Sequence, residues 1–383
     1  MKVLVLGAGQ LAKMLYLAAA PLGVEVFAVD VTDNSVLNPV SGQVHEFDLA
    51  FAIEEAKAIT VEFEHIPEPL LVLVEASGKL MPNMLSIMAG ADRVREKYLL
   101  AQNGIANCQH LIIDNVDQLE GITDILGEKI IFKASRDGYD GYGQWRMRSA
   151  ADLGSLHDTF DKLDLRKVPL IAEKMSLFDR EISVVGARDA KGNIRCFQIA
   201  ENLHYEGQLH VSIAPATKLT KTIIFQANDI FKRIANALEY VGVLAIELFQ
   251  VGDELLVNEI APRVHNSGHW TQDGVGTCQF EQHIRAVLGF GLGSTKTPYV
   301  NAMVNVIGCT SFSRDLIALD GCHLHWYGKT LREKRKMGHI NVVADNYAEL
   351  GDKLIALLEH LPEESFPMLA GEAKRLQAFS LTE

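Results

Sequence analysis

The chain has 383 residues, 48% of them hydrophobic and 22% charged, with a formal net charge of −13. That length predicts two or three domains of roughly 100–200 residues each, and the apolar content excludes a disordered chain. The acidic balance argues against a nucleic-acid binder, whose nonspecific affinity comes from Lys and Arg neutralising phosphates.

The opening M-K-V-L-V-L-G predicts a strand from Lys2 to Leu6 running into a glycine turn, not a signal peptide. A helix follows from about Gln10 to Ala19, stopped by Pro21 and Gly23, and Val24 to Val29 forms the next strand, closing on Asp30. This βαβ start implies a parallel sheet with helices packed on it. Gly7, Gly9, Ala12 and Asp30 imitate a dinucleotide-binding fingerprint. Yet such a turn mainly reports a helix N-terminus able to receive any anion, so a nicotinamide and another phosphate are both open. A strand near Ile59 carries Glu62 and Glu64 in V-E-F-E-H, and an amphipathic helix from Ala89 to Gln102 leads into a second unit.

That unit holds the strand K-I-I-F-K-A-S, a loop from Asp137 to Gln144, and the strand P-L-I-A-E-K-M. Gly138, Gly141 and Gly143 let backbone amides approach a ligand closely, as phosphate-cradling loops do, but the Walker G-K-[ST] ending is absent. Lys133 lies on an apolar strand, where a lone ammonium is costly to bury without an anion. A triphosphate fits; so does a plain hairpin turn with the lysine snorkelling to water. Glu173-Lys174-Met175-Ser176 and Glu181 offer a carboxylate and backbone amides to an adenine and ribose, an unspecific signal. Strands at Glu181 to Ala187 and Ile194 to Ala200 and a helix from Thr222 to Tyr240 come next.

The segment V-L-A-I-E-L-F-Q-V-G-D-E-L-L-V-N-E-I-A-P reads as a β-hairpin. Centred on Asp253, it places Glu247 opposite Glu259 on one face. Like charges so placed destabilise a sheet, which calls for a compensating cation, and Mg²⁺ prefers carboxylates together with substrate phosphates. A solvent-facing pair is the alternative, and a one-residue slip would separate the two. The block I-A-P-R-V-H-N-S-G-H-W then crowds Arg263, His265, Asn266, Ser267 and His269 into one loop. Guanidinium binds planar anions bidentately, so bicarbonate or a carboxylate suits it. A helix from Phe280 to Leu288 and a Gly/Ser/Thr-rich boundary precede the last unit. It carries the basic run from Lys329 through Arg332, Lys334, Arg335 and Lys336, suited to a phosphate monoester, and a final helix near Tyr347 to His360. Five scattered cysteines without a C-x-x-C pair read as reduced thiols of a cytoplasmic protein. No apolar run reaches the roughly 18–20 residues of a membrane span.

Together, G-A-G-Q-L-A-K-M, F-K-A-S-R-D-G-Y-D-G-Y-G-Q-W, V-L-A-I-E-L-F, N-E-I-A-P-R-V-H-N-S-G-H-W-T-Q and H-W-Y-G-K…R-K-M-G-H-I resemble the N5-carboxyaminoimidazole ribonucleotide synthetase family of ATP-grasp enzymes, over nearly the whole chain. The resemblance implies a mixed α/β and α+β fold: a Rossmann-like unit over 1–92, an ATP-grasp lid with linker helix over 93–187, a large ATP-grasp unit over 188–298, and a C-terminal unit over 299–383. It also implies a homodimer. Its substrates would be ATP, bicarbonate and 5-aminoimidazole ribonucleotide, joined through carboxyphosphate. By motif, Arg93 and Lys133 would meet the ATP phosphates, with Gly138, Tyr139, Asp140, Gly141, Tyr142, Gly143 and Gln144 as lid. Glu173, Lys174, Met175, Ser176, Glu181 and His204 would hold adenine and ribose. Glu247 and Glu259, with Asn258, would hold Mg²⁺. Tyr139, Asp140, Lys329 and Arg335 would address the ribonucleotide, with Glu62 or Glu64 near it, and Arg263 and His265 bicarbonate; Asp140 would orient or deprotonate the amine. Tyr142 departs from the family's usual Lys or Arg, removing one expected phosphate contact. Two rivals stand beside this reading: an ATP-grasp ligase with another acceptor, and an NAD-dependent oxidoreductase built on the glycine turn.

Overall fold

The computed structural model describes residues 1–136, 143–175 and 177–379. The first unit runs β1 (Lys2–Leu6), α1 (Gln10–Ala19), β2 (Glu25–Val29), β3 (Val36–Leu37), α2 (Leu49–Glu55), β4 (Ala58–Val61), α3 (Glu68–Glu75), α4 (Met84–Ala91) and α5 (Arg93–Gln102). Its sheet has the order β3-β2-β1-β4, with β1 parallel to both β2 and β4. The period of two along β1 feeds two cores. Val3 and Val5 pack with Leu11 and Leu15, whereas Leu4 and Leu6 pack with Val29, Ile59 and Leu70. A parallel sheet covered on both faces needs such a continuous apolar run.

The helix expected from Ala89 to Gln102 is two helices. Asp92 leaves the helical region (φ −134°, ψ 111°), and its carboxylate accepts the Val94 N–H at 2.9 Å. Aspartate gains more as an N-cap than inside a helix, so the chain turns there. The face of α5 that points inward carries Glu96 and Lys97 beside Leu100, all buried, and is therefore not simply apolar.

The second unit holds β5 (His110–Ile113), α6 (Ile122–Leu126), β6 (Ile130–Ala134), β7 (Gln144–Met147), α7 (Leu153–Phe160) and β8 (Leu170–Lys174). Its antiparallel sheet has the order β5-β8-β6-β7. Ile130 and Phe132 enter a core with Phe160 and Leu126. Alternation sends Ile131 and Lys133 to the opposite face, together with Glu173, which pairs across with Ile131.

The remainder is built on one nine-stranded sheet. It contains β9 (Arg180–Arg188), β10 (Ile194–Cys196), β11 (Ala200–Tyr205), β12 (Gln208–Ala214), α8 (Lys221–Ala237), β13 (Gly242–Val251), β14 (Glu254–Ala261), α9 (Thr271–Gly274), α10 (Gln279–Val287), β15 (Val300–Ile307), β16 (Cys322–Trp326), β17 (Lys336–Ala344), α11 (Tyr347–Leu358) and α12 (Leu369–Phe379). The order is β14-β13-β9-β11-β12-β15-β17-β16, with β10 on β9. The division expected at 187 falls at the end of β9, which pairs with β11 and β13 and so belongs to the large sheet. The C-terminal unit from 299 extends that same sheet through β12 and β15, and adds α12, which the sequence reading missed. The strand expected over Ile194 to Ala200 is also broken, into β10 and the start of β11.

The β13–β14 hairpin closes on a two-residue Gly252-Asp253 turn, with Val251 opposite Glu254 and Leu248 opposite Val257. Continued unbroken, that register would set Glu247 against Asn258. A bulge between Glu247 and Leu248 absorbs one residue, and Glu247 faces Glu259 after all. Among the described residues no helix is long and apolar enough to cross a membrane.

Candidate active site

A cavity of ≈ 680 Å³ lies where the three sheets meet. Lys133, Gln144, Glu173, Lys174 and Met175 reach it from the second sheet; Glu181, His204, Glu247, Asn258 and Glu259 from the large one. Glu62, Glu64, Arg93, Arg263 and His265 complete its wall. Lys329 and Arg335 are not part of that wall. Lys329 Nζ sits 5.6 Å from the centre of the Tyr327 ring, and Arg335 donates to the Thr330 carbonyl at 3.0 Å. Gly138, Tyr139, Asp140, Gly141 and Tyr142, expected to form a lid, and also Ser176, lie outside the described residues. Gly143 (φ +67°) carries the chain into β7, where Gln144 pairs with Lys133.

Charges are distributed unevenly around this space. Burial pushes the Glu247 carboxyl up to about 7; the neighbouring Glu259 and Glu181 add to this and His204 opposes it. Glu259, 39% exposed toward the cavity, resists the effect of burial because Arg93, Lys133 and Arg263 hold it below the usual range. Arg93 Nη2 lies 3.3 Å from Glu259 Oε2. Two facing carboxylates, one driven toward protonation, make a donor set that a divalent cation would relieve, and Asn258 Oδ1 stands beside them. The residues therefore fit Mg²⁺.

His265 is neutral, held well below its usual range by burial and by Arg263. Its Nδ1 accepts the Ser267 N–H at 3.3 Å, which leaves the proton on Nε2, 3.8 Å from Glu247 Oε1. Arg263 Nε lies 2.8 Å from Glu64 Oε1, and His204 Nδ1 lies 2.9 Å from Glu181 Oε2. Lys133 Nζ approaches Glu173 Oε2 at 2.6 Å and Asn258 Oδ1 at 3.3 Å.

Glu173 also meets Lys97 Nζ, at 2.6 Å from Oε1. Burial opposes its charge, but the two lysines win and draw its carboxyl down to about 2. Since the folded value lies below the unfolded 4.5, the native state gains from this group above pH 4.5 and loses that gain as pH falls toward 2. The stability gap between wild type and Glu173→Gln in urea unfolding is accordingly expected to be about 3 kcal/mol at pH 7 and to shrink steadily below pH 4.5. A gap that does not change with pH would contradict it.

The glycine turn is not an open phosphate site. Glu62 Oε2 accepts the Gly9 N–H at 2.5 Å and Oε1 the Leu11 N–H at 3.0 Å, so an internal carboxylate already takes the α1 N-terminus. That removes the basis for a dinucleotide there. Burial raises the Glu62 carboxyl, while these amides and the charge of Lys329 oppose the rise. A Cβ on Gly9 would stand 2.4 Å from Glu62 Oε1. Gly9→Ala is expected to cost about 1–3 kcal/mol in chemical unfolding through this overlap; an unchanged midpoint would show that Glu62 is free to move.

Sequence reading also missed Lys97, and it named Lys336, which lines the cavity, only as one member of the basic run. The one signal for Lys97 was its place four residues after Arg93, on the same face of α5, and that spacing alone does not tell a buried lysine from a solvated one. Lys336 lay within the basic run, where Lys329 and Arg335 drew attention instead.

A small sheet bearing a buried lysine and a larger sheet bearing paired acidic residues, both lining one cavity, are the arrangement of an ATP-grasp enzyme. The matches agree: an ATP-grasp domain over residues 98–280, a ribonucleotide synthetase preATP-grasp domain over 1–89, and a phosphoribosylaminoimidazole carboxylase C-terminal domain over 301–353. The N5-carboxyaminoimidazole ribonucleotide synthase of Vibrio cholerae is 47% identical over 380 residues, covering 98% of this chain and 100% of its own. The crystal structure of the Thermus thermophilus synthetase superposes with a TM-score of 0.84 at 36% identity, covering 94% of this chain and 99% of that one. The Aspergillus clavatus synthase, in complex with ADP and 5-aminoimidazole ribonucleotide, gives 0.81 at 25% identity, covering 94% and 97%. The chain belongs to the N5-carboxyaminoimidazole ribonucleotide synthase family, ATP-grasp ligases that form a C–N bond in an ATP-dependent carboxylation of purine biosynthesis.

Proposed function

We propose that this chain carboxylates 5-aminoimidazole ribonucleotide with ATP and bicarbonate. The observation that carries the reading is the Glu247–Glu259 pair facing the same cavity as Lys133, with Arg263 and His265 beside it. ATP would lie between the sheets, its adenine and ribose against Lys174, Met175, Glu181 and His204, its phosphates toward Lys133 and Arg93. Mg²⁺ held by Glu247, Glu259 and Asn258 would neutralise charge on the phosphates when bound.

Bicarbonate is a poor electrophile, so its activation comes first. One of its oxygens attacks the γ-phosphorus, the bond to the β,γ-bridging oxygen breaks, and ADP leaves with that electron pair. Arg263, whose Nε is paired with Glu64 and whose Nη1 donates to the Val264 carbonyl, would hold the planar anion through its remaining guanidinium N–H groups. His265 contributes an Nε2–H donor, not a base, because Ser267 fixes its tautomer. The amine of the ribonucleotide then attacks the carboxyl carbon of carboxyphosphate, the carbon–oxygen bond to phosphate breaks, and the amine proton leaves to a base. Asp140 is the candidate for that base, and Lys329 and Arg335 for the ribonucleotide phosphate. Excluding water while carboxyphosphate exists is the task assigned to the lid from Gly138 to Gln144. A homodimer and a cytoplasmic location belong to the same proposal, on the strength of the family.

The test is ADP release from ATP with each co-substrate omitted in turn. The proposal expects full release only with bicarbonate and aminoimidazole ribonucleotide together. Equal release with formate or an amino acid as co-substrate would move the chain to another ATP-grasp ligase class.

A further inference from the structure

Helix α5 sends three charged side chains inward, at positions i, i+3 and i+4 of its first turn. Arg93 reaches Glu259, Glu96 accepts the Ile260 N–H at 2.8 Å, and Lys97 reaches Glu173. The first two grip the large sheet, and the third grips the small one. Lys97 is 3% exposed and is not itself one of the residues lining the cavity; it meets the wall only through Glu173. Its ammonium nevertheless lies 2.6 Å from a carboxylate that Lys133 approaches, also at 2.6 Å, through the other oxygen.

This arrangement has a consequence when nucleotide arrives. Serving phosphates weakens the hold of Lys133 on Glu173, because its one ammonium must then share its charge and its three N–H donors between them. A buried carboxylate abandoned by its sole cation is strongly disfavoured, so an exclusive Lys133–Glu173 pair would resist the ligand. With Lys97 fixed on the far oxygen, Glu173 keeps one cation throughout. The three groups together also carry one excess positive charge, which favours an incoming anion.

We propose that Lys97 is a positioning residue for nucleotide binding: it keeps Glu173 paired so that Lys133 is released to the phosphates. The inference rests on the reading of Lys133 as a phosphate ligand. It makes Lys97 act on the phosphate end of the nucleotide and not on the adenine end, although Glu173 stands near both.

Isothermal titration of the full-length protein with Mg²⁺ and a non-hydrolysable ATP analogue, and separately with adenosine, tests this. Lys97→Met should bind the analogue about tenfold or more weakly, with adenosine affinity within about twofold of wild type, and Lys97→Arg should restore most of the loss. In a Glu173→Gln background, adding Lys97→Met should change analogue affinity by less than about twofold, since no charge is left to hold. Unchanged analogue affinity in Lys97→Met overturns the proposal, and so does an equal loss for adenosine, which would mark a general packing role. If Lys97→Met alone does not fold, Glu173→Gln and the double variant decide the matter: a gap of fivefold or more between them overturns it. Lys133→Met is the separate control. Full analogue affinity in that variant removes the reading of Lys133 itself, whatever Lys97 does.

Discussion

Glu259→Ala is expected to lower co-substrate-dependent ADP release by about 10²–10³-fold or more, because it removes half of the only facing carboxylate pair among the described residues of the cavity. The fold should tolerate the change. Glu259 is 39% exposed to the cavity, and its loss relieves the repulsion that helps to drive the Glu247 carboxyl up to about 7. Arg93 keeps the attraction of Glu96 and Glu173 after its nearest partner goes. Unfolding stability is therefore expected to stay within about 1 kcal/mol of wild type. Full turnover in a folded Glu259→Ala protein would remove the metal role, whereas lost turnover with a collapsed melt would make Glu259 a structural residue.

Arg263→Met should fail in a different way. Glu64 is 9% exposed, and Arg263 is the cation 2.8 Å from it, so the variant leaves a buried carboxylate unpaired. Breaking such a pair costs about 3–5 kcal/mol. Adding Glu64→Gln should return most of that stability, since the stranded charge disappears. Activity should not return with it, because the guanidinium assigned to bicarbonate is still absent. The measurements are urea unfolding and the bicarbonate dependence of ADP release. Recovery of turnover together with stability in the double variant would mean that Arg263 acts only as a structural cation.

The site was legible where chemistry is tied to short spacing. Lys133, the Glu173 strand, the acidic hairpin and the Arg263–His265 block all fall around one cavity. The pairing of Glu247 with Glu259 was anticipated from a hairpin centred on Asp253, but it depends on a bulge that no pattern of apolar residues announces. Bulges insert one residue without altering local composition. The occupant of the glycine turn was not legible either: the Glu62 carboxylate reaches Gly9 from 53 residues away, through the pairing of β1 with β4. Lys97 was hidden for a related reason. A lysine on a helix reads as solvated until its burial against Glu173 is known. The unity of the large sheet was hidden too, since β12 and β15 are separated by α8, the hairpin and α10 in sequence and meet only in space.

The most direct test of the whole account is a crystal of the protein with Mn²⁺ in place of Mg²⁺ and a non-hydrolysable ATP analogue, with the ion located by its anomalous scattering. The account predicts an anomalous peak bound by the carboxylates of Glu247 and Glu259 and by oxygens of the analogue's phosphates, with Lys133 turned toward those phosphates. A triphosphate bound elsewhere, or the two carboxylates directed apart with no ion shared between them, would contradict it.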